Sequence, residues 1–344
     1  MNARTSTKAL VSVVLPTADR PRFLEKALRS AIEQSYQNIE ILVRDNASGP
    51  ETGEIVRRFQ EGRIQYWRHD RNIGMTQNVV GGFRLAKGKY VTNLHDDDFW
   101  ERDFLEKAVA ALEAYPETAL AFSDHYIVDL SDRIDATATE SNCALFKRAG
   151  LAPGIHQPFK KLALVDLSVP ISMACVFRRD RIDWNDFPDF ASGYDFWLAY
   201  LACRNGDACY YMPERLTSYR VHPVSETSRG RVRLNKALIQ IYERMMLDPR
   251  VAELRDVFRE RIGIHHCDAA IALLRRGENV AARRMLFQSV KYRLNFKTNL
   301  AIAASYLSPG LTRHFPGKLR FPASAMAMTP EQIAIRRHRR VLAP

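Results

Sequence analysis

The first 125 residues alternate short apolar runs with longer segments in which apolar residues recur every three or four positions. The apolar runs are rich in β-branched residues and predict strands at 10–15, 39–43, 64–67, 90–94 and 118–123. The intervening segments predict helices at 21–34, 51–60, 75–86 and 102–114. Alternating strands and helices are typical of βαβ units, so the predicted fold class is α/β with a mostly parallel sheet and flanking helices.

The alternation stops beyond residue 125. Residues 129–160 are polar and contain glycine and proline, which predicts an irregular excursion over the surface. A strand at 172–177, a helix at 195–203 and a last strand at 216–221 are predicted after it. From residue 231 onward, apolar residues recur at spacings of three, four and seven, so a C-terminal helical region follows.

Charge is divided unevenly along the 344 residues. The whole chain has 51 Lys and Arg against 39 Asp and Glu, a net charge of +12. Residues 1–228 carry 28 basic and 31 acidic side chains, whereas residues 229–344 carry 23 and 8. The basic region 229–344 therefore has three possible interpretations. It binds a nucleic acid, it binds an anionic membrane, or it is a solvated helical exterior without such a partner. Nucleic acid is the weakest of these because no known binding motif occurs, and the run Arg336–Arg340 is a candidate membrane contact.

Cysteine usage and hydropathy favour a cytoplasmic protein, or one peripheral to the inner face of the membrane. The five cysteines are scattered without a C-x-x-C pair, which excludes a disulfide framework and a thiolate zinc site. The apolar run 10–15 is too short for a signal peptide, and no stretch approaches the roughly 18 apolar residues of a membrane span.

Three consecutive carboxylates, Asp96, Asp97 and Asp98, follow a predicted buried strand. Ligands of open α/β sheets bind beyond the carboxyl ends of the strands. Oxygen-only ligands suit Mg²⁺ or Mn²⁺, and such a metal completes its shell with phosphate oxygens and water. The triplet therefore indicates a phosphate-bearing partner; the alternative is a solvated acidic turn that caps the next helix.

Common nucleotide-binding loops are missing from the sequence. No G-x-x-x-x-G-K-[ST] occurs, and residues 16–20 stand where a G-x-G-x-x-G would follow the first strand. P-loop kinases and Rossmann dehydrogenases are therefore disfavoured.

Three further polar residues lie at strand ends or helix starts and are candidate functional residues. Each also has an ordinary structural interpretation. Asp45 ends a strand and suits a nucleobase N–H or a ribose hydroxyl, although strand-end Asp often forms an Asx turn. Asp195 begins a helix and is a candidate general base or an N-cap. His222 ends a strand and is a candidate metal or phosphate ligand, or an ordinary exposed histidine.

Taken in order, these segments resemble an inverting glycosyltransferase of family 2, with the GT-A fold. The resemblance covers residues 9–228. The matching segments are VSVVLPT at 11–17, ILVRDNAS at 41–48, RNIG at 71–74, LHDDD at 94–98, GYDFWL at 193–198 and YRVH at 219–222.

The resemblance implies a role for each matching residue. Pro16, Thr17 and Asp19 line the nucleotide pocket, and Asp45 contacts the base. Arg71 and Asn72 border the nucleotide, while Asp96 faces the ribose with Asp97 beside it.

The resemblance also implies a metal site and a base. Asp98 binds the divalent metal, for which His222 is a second candidate ligand. Asp195 is the catalytic base; Tyr194 precedes it where the family often has Glu, although Tyr-Asp also occurs.

The implied organisation is a GT-A catalytic domain over 1–228, with nucleotide-sugar binding in 9–125 and the acceptor side in 126–228. The implied reaction moves a sugar from a UDP-, GDP- or dTDP-sugar to a saccharide or lipid-linked acceptor, with inversion and with Mg²⁺ or Mn²⁺, in bacterial surface polysaccharide synthesis. Two alternatives stay open. One is a non-catalytic scaffold or membrane-recruiting protein of the same fold; the other is a sugar nucleotidyltransferase, which is expected to have a Gly-rich basic loop after the first strand.

Overall fold

The structure, a computed structural model, describes residues 8–222, 231–292 and Ile302. The chain divides into two units. The first contains the described residues up to Asp189 together with Tyr194–Arg220, and the second contains Phe190–Gly193 and the described residues from Val221 on. The boundary expected at Ser228 and the basic run Arg336–Arg340 lie outside the described residues.

One mixed sheet of nine strands forms the centre of the first unit, with the order β3-β2-β1-β4-β8-β6-β9-β5 and β7 paired to β9. Its strands are β1 (Val11–Thr17), β2 (Ile39–Asp45), β3 (Ile64–Arg68), β4 (Tyr90–Asn93), β5 (Phe99–Trp100), β6 (Thr118–Val128), β7 (Gly154–His156), β8 (Cys175–Arg178) and β9 (Ala208–Arg220). β1, β2, β3 and β4 pair in parallel, as does β6 with β9, whereas β8 is antiparallel to both of its neighbours. The predicted α/β class with a mostly parallel sheet and a helical C-terminal region is confirmed.

Helices flank this sheet and connect its parallel strands. They are α1 (Pro21–Ile32), α2 (Pro50–Arg58), α3 (Met75–Leu85), α4 (Phe104–Ala114), α5 (Ala136–Leu145), α6 (Lys160–Leu164) and α7 (Tyr194–Cys203). Proline is tolerated at the first position of α1 because that N–H has no partner within a helix. The same helix buries Leu24, Ala27, Leu28 and Ala31 on one face, and these side chains join β1, β2 and α4 in the main core.

A tight turn places β4 beside β1. Gly88 lies just before β4, and a Cβ atom there would stand 2.6 Å from the carbonyl oxygen of Tyr90 and 2.7 Å from that of Leu10. Its N–H donates to Ser12 Oγ at 2.8 Å. Only glycine allows this approach, which brings the residues after β4 level with the end of β1.

Three of the predicted elements differ in the structure. The excursion at 129–160 contains α5 and β7; α5 escaped prediction because its sequence ATATESNCAL has no apolar stripe, and it is capped instead by Asp135, whose side chain accepts from the Ala138 N–H. The strand predicted at 172–177 begins as a 3-10 turn and becomes extended only in β8. The strand predicted at 216–221 is the end of β9, a continuous strand of 13 residues. Its pattern of buried residues is broken at Pro213–Arg215.

The second unit is helical in its described part. It contains α8 (Arg231–Met246), α9 (Arg255–Arg275) and α10 (Asn279–Tyr292). Its small core includes Ala270, Leu274, Ala282 and Leu286, which are fully buried. None of the helices in the described ranges combines the length and the apolar character that crossing a bilayer requires.

Candidate active site

The carboxyl ends of three neighbouring parallel strands lie side by side at one edge of the sheet. β1 lies between β2 and β4, and its last residue, Thr17, is in register with Asp45 at the end of β2. β4 ends at Asn93, four residues before Asp97. Since ligands of α/β sheets bind at this edge, it is the candidate active site.

Asp96 is bound to the loop that follows β1. Its carboxylate accepts a hydrogen bond from Thr17 Oγ1 at 2.9 Å and a longer one from the Ala18 N–H at 3.4 Å. Arg20 Nη1 lies 3.2 Å from Asp96 and 2.7 Å from Asp97. Burial, followed by the nearby charge of Asp97, raises the pKa of Asp96 to about 7 in spite of the arginine.

Asp98 is held from the other side of the same loop. Its Oδ2 lies 3.1 Å from His95 Nδ1, and its Oδ1 accepts from the backbone N–H of Arg220 at 2.9 Å. Burial raises the pKa of Asp98 to about 6, although the contact with His95 opposes the shift. Burial also opposes protonation of His95, but the contact with Asp98 and the charge of Asp195 raise the pKa of the ring to about 9.

Asp45 lies at this edge, and both oxygens of its carboxylate accept hydrogen bonds from nearby residues. One carboxylate oxygen accepts from the Ser48 N–H at 2.8 Å, and the other accepts from Tyr66 Oη at 2.5 Å. Asp45 is fully buried, and its bond to Ser48, three residues further on, is a local turn contact related to the Asx turn of the alternative interpretation. Its contact with a nucleobase stays a prediction. Burial and the hydrogen bond to Asp45 raise the pKa of Tyr66.

Asp19 joins the loops that follow β1 and β2. Its backbone has a φ of +53°, its N–H donates to Ser48 Oγ at 2.8 Å, and its carboxylate accepts from the Gly49 N–H at 3.0 Å. Pro16 lies inside β1 with its side chain buried, whereas Thr17 reaches Asp96. These contacts fix the loop that carries Arg20, and nucleotide binding by Pro16, Thr17 and Asp19 stays a prediction.

Arg71 and Asn72 are exposed in the loop between β3 and α3. The side chain of Asn72 accepts from Asn46 Nδ2 at 3.0 Å and from the Gly74 N–H at 2.9 Å. Because Asn46 directly follows β2, this contact ties the Arg71 loop to the same edge of the sheet. Their position at the border of the nucleotide stays a prediction.

Asp195 is the second residue of α7, and its Oδ1 accepts from the Ser172 N–H at 3.0 Å and from the Ser172 hydroxyl. The preceding Tyr194 is buried, and its hydroxyl lies 2.5 Å from His95 Nε2 and 3.3 Å from Asn93 Nδ2. Through His95, the helix of the candidate base is thus connected to the loop that bears Asp98.

His222 is fully buried in the second unit, two residues after β9 ends. The alternative interpretation of an ordinary exposed histidine is therefore wrong, because polar residues around a strand end do not determine exposure. Its role as a metal or phosphate ligand stays a prediction.

The acidic loop, defined as residues 96–98, suits a metal that arrives together with phosphate. Within the ranges that the structure describes, no three His, Cys, Asp or Glu side chains are arranged as a complete metal site. Mg²⁺ is usually bound by one or two carboxylates plus substrate phosphates, so a complete protein site is not required. The buried carboxylate of Asp98 is the kind of hard oxygen ligand that such an ion prefers.

Comparison with known proteins agrees with this geometry. The family model described as Glycosyl transferase family 2 matches residues 12–180, which include β1 to β4 and the acidic loop. This region is a family 2 glycosyltransferase domain. A curated relative of the domain is a UDP-Glc:alpha-D-GlcNAc-diphosphoundecaprenol beta-1,3-glucosyltransferase, WfaP of Escherichia coli, at 25% identity over 118 residues, or 34% of this chain and 47% of WfaP. The chain spans about half the length of the curated relatives it matches.

Solved glycosyltransferase structures share the fold. TarS 1-349 of S. aureus in complex with UDP-GlcNAc superposes with a TM-score of 0.63 at 13% identity, covering 88% of this chain and 87% of that one. The mannosyltransferase PcManGT of Pyrobaculum calidifontis, in complex with GDP-Man and Mn²⁺, gives a TM-score of 0.54 at 17% identity, covering 96% and 87%. At these identities the likeness establishes the fold of the family 2 domain.

Several residues of the site escaped prediction from the sequence. Arg20, His95, Ser172 and Arg220 contact the candidate carboxylates directly. For His95 and Arg220 a signal existed, because each lies within a matching segment that already carried a candidate, LHDDD at 94–98 and YRVH at 219–222. Arg20 directly follows the candidate Asp19. Ser172 lies in none of the matching segments, and its contact with Asp195 depends on the fold.

Proposed function

We propose that this chain transfers a glycosyl group from a nucleoside-diphosphate sugar to a hydroxyl of a saccharide or lipid-linked acceptor, with inversion and with a divalent metal. One observation carries the proposal. Within a family 2 glycosyltransferase domain, the ends of β1, β2 and β4 place Thr17, Asp45 and the acidic loop along one edge of the sheet. Structurally similar proteins have been solved in complex with UDP-GlcNAc and with GDP-Man, which supports a nucleotide sugar as the donor.

The donor side is formed by the loops after β1, β2 and β4. In the proposal, Pro16, Thr17 and Asp19 line the nucleotide pocket, and the acidic loop faces the ribose and the diphosphate. Asp98 would hold Mg²⁺ or Mn²⁺, and a separate role of His222 as a metal or phosphate ligand stays a prediction. When bound, such an ion supplies Lewis-acid stabilisation of the negative charge on the leaving nucleoside diphosphate.

The acceptor side contains Asp195. In the proposal, its carboxylate takes the proton of the acceptor hydroxyl while that oxygen attacks the anomeric carbon from the face opposite the leaving group. The new C–O bond forms as the bond to the diphosphate breaks, so the configuration inverts. Ser172 donates two hydrogen bonds to Asp195 Oδ1, which fixes the orientation of the carboxylate.

A role in bacterial surface polysaccharide synthesis is supported by the lipid-linked acceptor in the name of WfaP. We also propose that the basic region 229–344, with 23 basic against 8 acidic residues, contacts the anionic membrane that carries such an acceptor. Co-sedimentation with anionic vesicles across a salt series tests this contact. Absence of binding at low salt contradicts it.

A screen of UDP-, GDP- and dTDP-sugars with Mg²⁺ or Mn²⁺ tests the proposed reaction, with release of the nucleoside diphosphate as the readout. The proposal expects metal-dependent release from one donor class, which an added acceptor accelerates. If no donor is turned over and none raises the melting temperature in the presence of Mn²⁺, a non-catalytic protein of the same fold is favoured.

A further inference from the structure

The acidic loop already has a positively charged partner supplied by the chain. Arg20 Nη1 lies 2.7 Å from Asp97 Oδ2 and 3.2 Å from Asp96 Oδ1, so one guanidinium nitrogen joins two adjacent carboxylates. The Arg20 side chain is 24% exposed, whereas those of Asp96 and Asp97 are 7% and 13% exposed. Arg20 is thus the more exposed partner in both contacts.

The position of Arg20 is fixed by the backbone on both sides. Pro21 begins α1 immediately after it, and Asp19 before it has a φ of +53°. Asp19 is connected to the loop after β2 through Ser48 and Gly49. Arg20 therefore projects from a short, doubly anchored turn, and its contact with the acidic loop is built into the fold.

Asp98 is held differently. Its oxygens contact His95 Nδ1 and the backbone N–H of Arg220, and its side chain is only 1% exposed. The loop thus has two parts. Asp98 contacts the ring of His95 and the end of β9, whereas Asp96 and Asp97 share the guanidinium of Arg20.

We propose that Arg20 is a resident counter-cation of Asp96 and Asp97 and opposes the binding of a divalent metal at the neighbouring Asp98. This inference rests on the proposed function, which places the metal at Asp98. Without donor, the guanidinium offsets the negative charge of Asp96 and Asp97 in a buried site. The same positive charge repels a divalent ion at Asp98, so the site has low affinity for the free ion.

Mn²⁺ binding to the full chain without nucleotide, followed by the electron paramagnetic resonance signal of free Mn²⁺, tests the inference. Arg20→Gln and Arg20→Met remove the charge and keep most of the side-chain volume. We expect each to bind Mn²⁺ about three- to tenfold more tightly than the wild type, because a like charge next to the ion is lost. Arg20→Lys keeps a charge and is expected to stay within about twofold of the wild type.

Arg22→Gln is the matched control, since Arg22 is exposed one residue into α1. It removes the same charge from the same segment and is expected to leave Mn²⁺ affinity unchanged. Two neutral variants guard against a folding defect in one of them, and circular dichroism confirms that the variants compared are folded. Equal or weaker Mn²⁺ binding by both neutral variants overturns the inference, since Arg20 then positions the carboxylates instead of opposing the metal.

The same titration separates this inference from the proposed function. Loss of Mn²⁺ binding in Asp98→Asn, with tighter binding in Arg20→Gln, supports both. Tighter binding in Arg20→Gln without any turnover in the donor screen contradicts glycosyl transfer but supports the role of Arg20. Absence of Mn²⁺ binding in the wild type and in both neutral variants contradicts the metal site and the inference together.

Discussion

The pKa values of two buried acidic sites, Asp124 and the acidic loop, are shifted in opposite directions by their surroundings. Asp124 in β6 is 2% exposed and accepts from Arg148 Nε at 2.9 Å; Arg148 is itself 2% exposed. Although burial opposes ionisation, the charge of Arg148 lowers the pKa of Asp124. The acidic loop has three carboxylates that share Arg20 and His95, and the pKa values of Asp96 and Asp98 are raised.

The difference separates a structural carboxylate from candidate functional ones. Asp124 has a dedicated buried cation, so its charge is already balanced and nothing further is needed. The acidic loop has three carboxylates for two cationic partners, at the edge of a sheet where ligands bind. In the proposed function, a divalent cation that arrives with the donor diphosphate supplies the remaining positive charge.

The largest expected effects are on activity at the site itself. Asp195→Asn removes the proposed base and lowers transfer by roughly 10²- to 10⁴-fold. Asp98→Ala removes the proposed metal ligand, and a loss of at least about a hundredfold is expected. Initial rates with the donor found in the screen measure both, and circular dichroism confirms that each variant is folded. Full transfer by either variant removes that residue from the mechanism.

Asp124→Asn is expected to change the stability of the protein instead of its activity. The guanidinium of Arg148 stays buried without its charged partner, so the free energy of unfolding falls by about 3 kcal/mol. Urea unfolding at neutral pH measures the change, with the exposed Asp180→Asn as the control, for which less than about 0.5 kcal/mol is expected. A wild-type stability for Asp124→Asn contradicts the structural role of this pair.

His125, next to Asp124, gives the structural site a pH dependence. Burial, followed by the charge of Arg148, lowers the pKa of His125 to about 3, below its value of about 6.5 in the unfolded chain. The unfolded state therefore binds more protons, and the stability that is present above about pH 6.5 is lost as the pH falls. Between pH of about 7.5 and 5.5, the wild type is expected to lose about 1.4 kcal/mol more than His125→Gln, measured by urea unfolding. Equal losses for the two proteins place the titration elsewhere.

The smallest effect is expected at an exposed ion pair. Glu25 and Arg29 lie one turn apart on α1 with an O to N distance of 3.3 Å, and both side chains are about half exposed. Because water and salt screen the pair, Glu25→Gln is expected to change the free energy of unfolding by less than about 0.5 kcal/mol. A larger loss, measured in the same urea series, means that exposure is a poor guide to the strength of ion pairs here.

Periodicity was sufficient to predict β1 and α1, because β1 is buried along its whole length and α1 has a single apolar face. β3 was also predicted, although it is only partly buried. Periodicity failed for α5, where small and polar residues conceal the helix, and for β9, where a polar segment breaks the buried pattern of a long strand. Local pattern carries no information about such elements, since tertiary contacts decide them.

The acidic loop and Asp195 were recognisable as candidates from motif and position, whereas the long-range contacts that hold them were not. Ser172 and Arg220 are 23 and 122 residues away from the carboxylates they contact. The alternative of an exposed His222 was wrong. Contacts over such separations depend on the order of the strands in the sheet, which only the folded structure reveals.

Calorimetric titration of UDP and GDP, with and without Mn²⁺, shows whether the acidic loop receives a cation together with the donor diphosphate. We expect one nucleotide to bind the wild type only when Mn²⁺ is present. Asp98→Asn is expected to abolish this dependence, and Asp124→Asn is expected to retain it under conditions where the variant is folded. If nucleotide binding changes neither with Mn²⁺ nor in Asp98→Asn, the acidic loop does not receive a cation with the donor diphosphate.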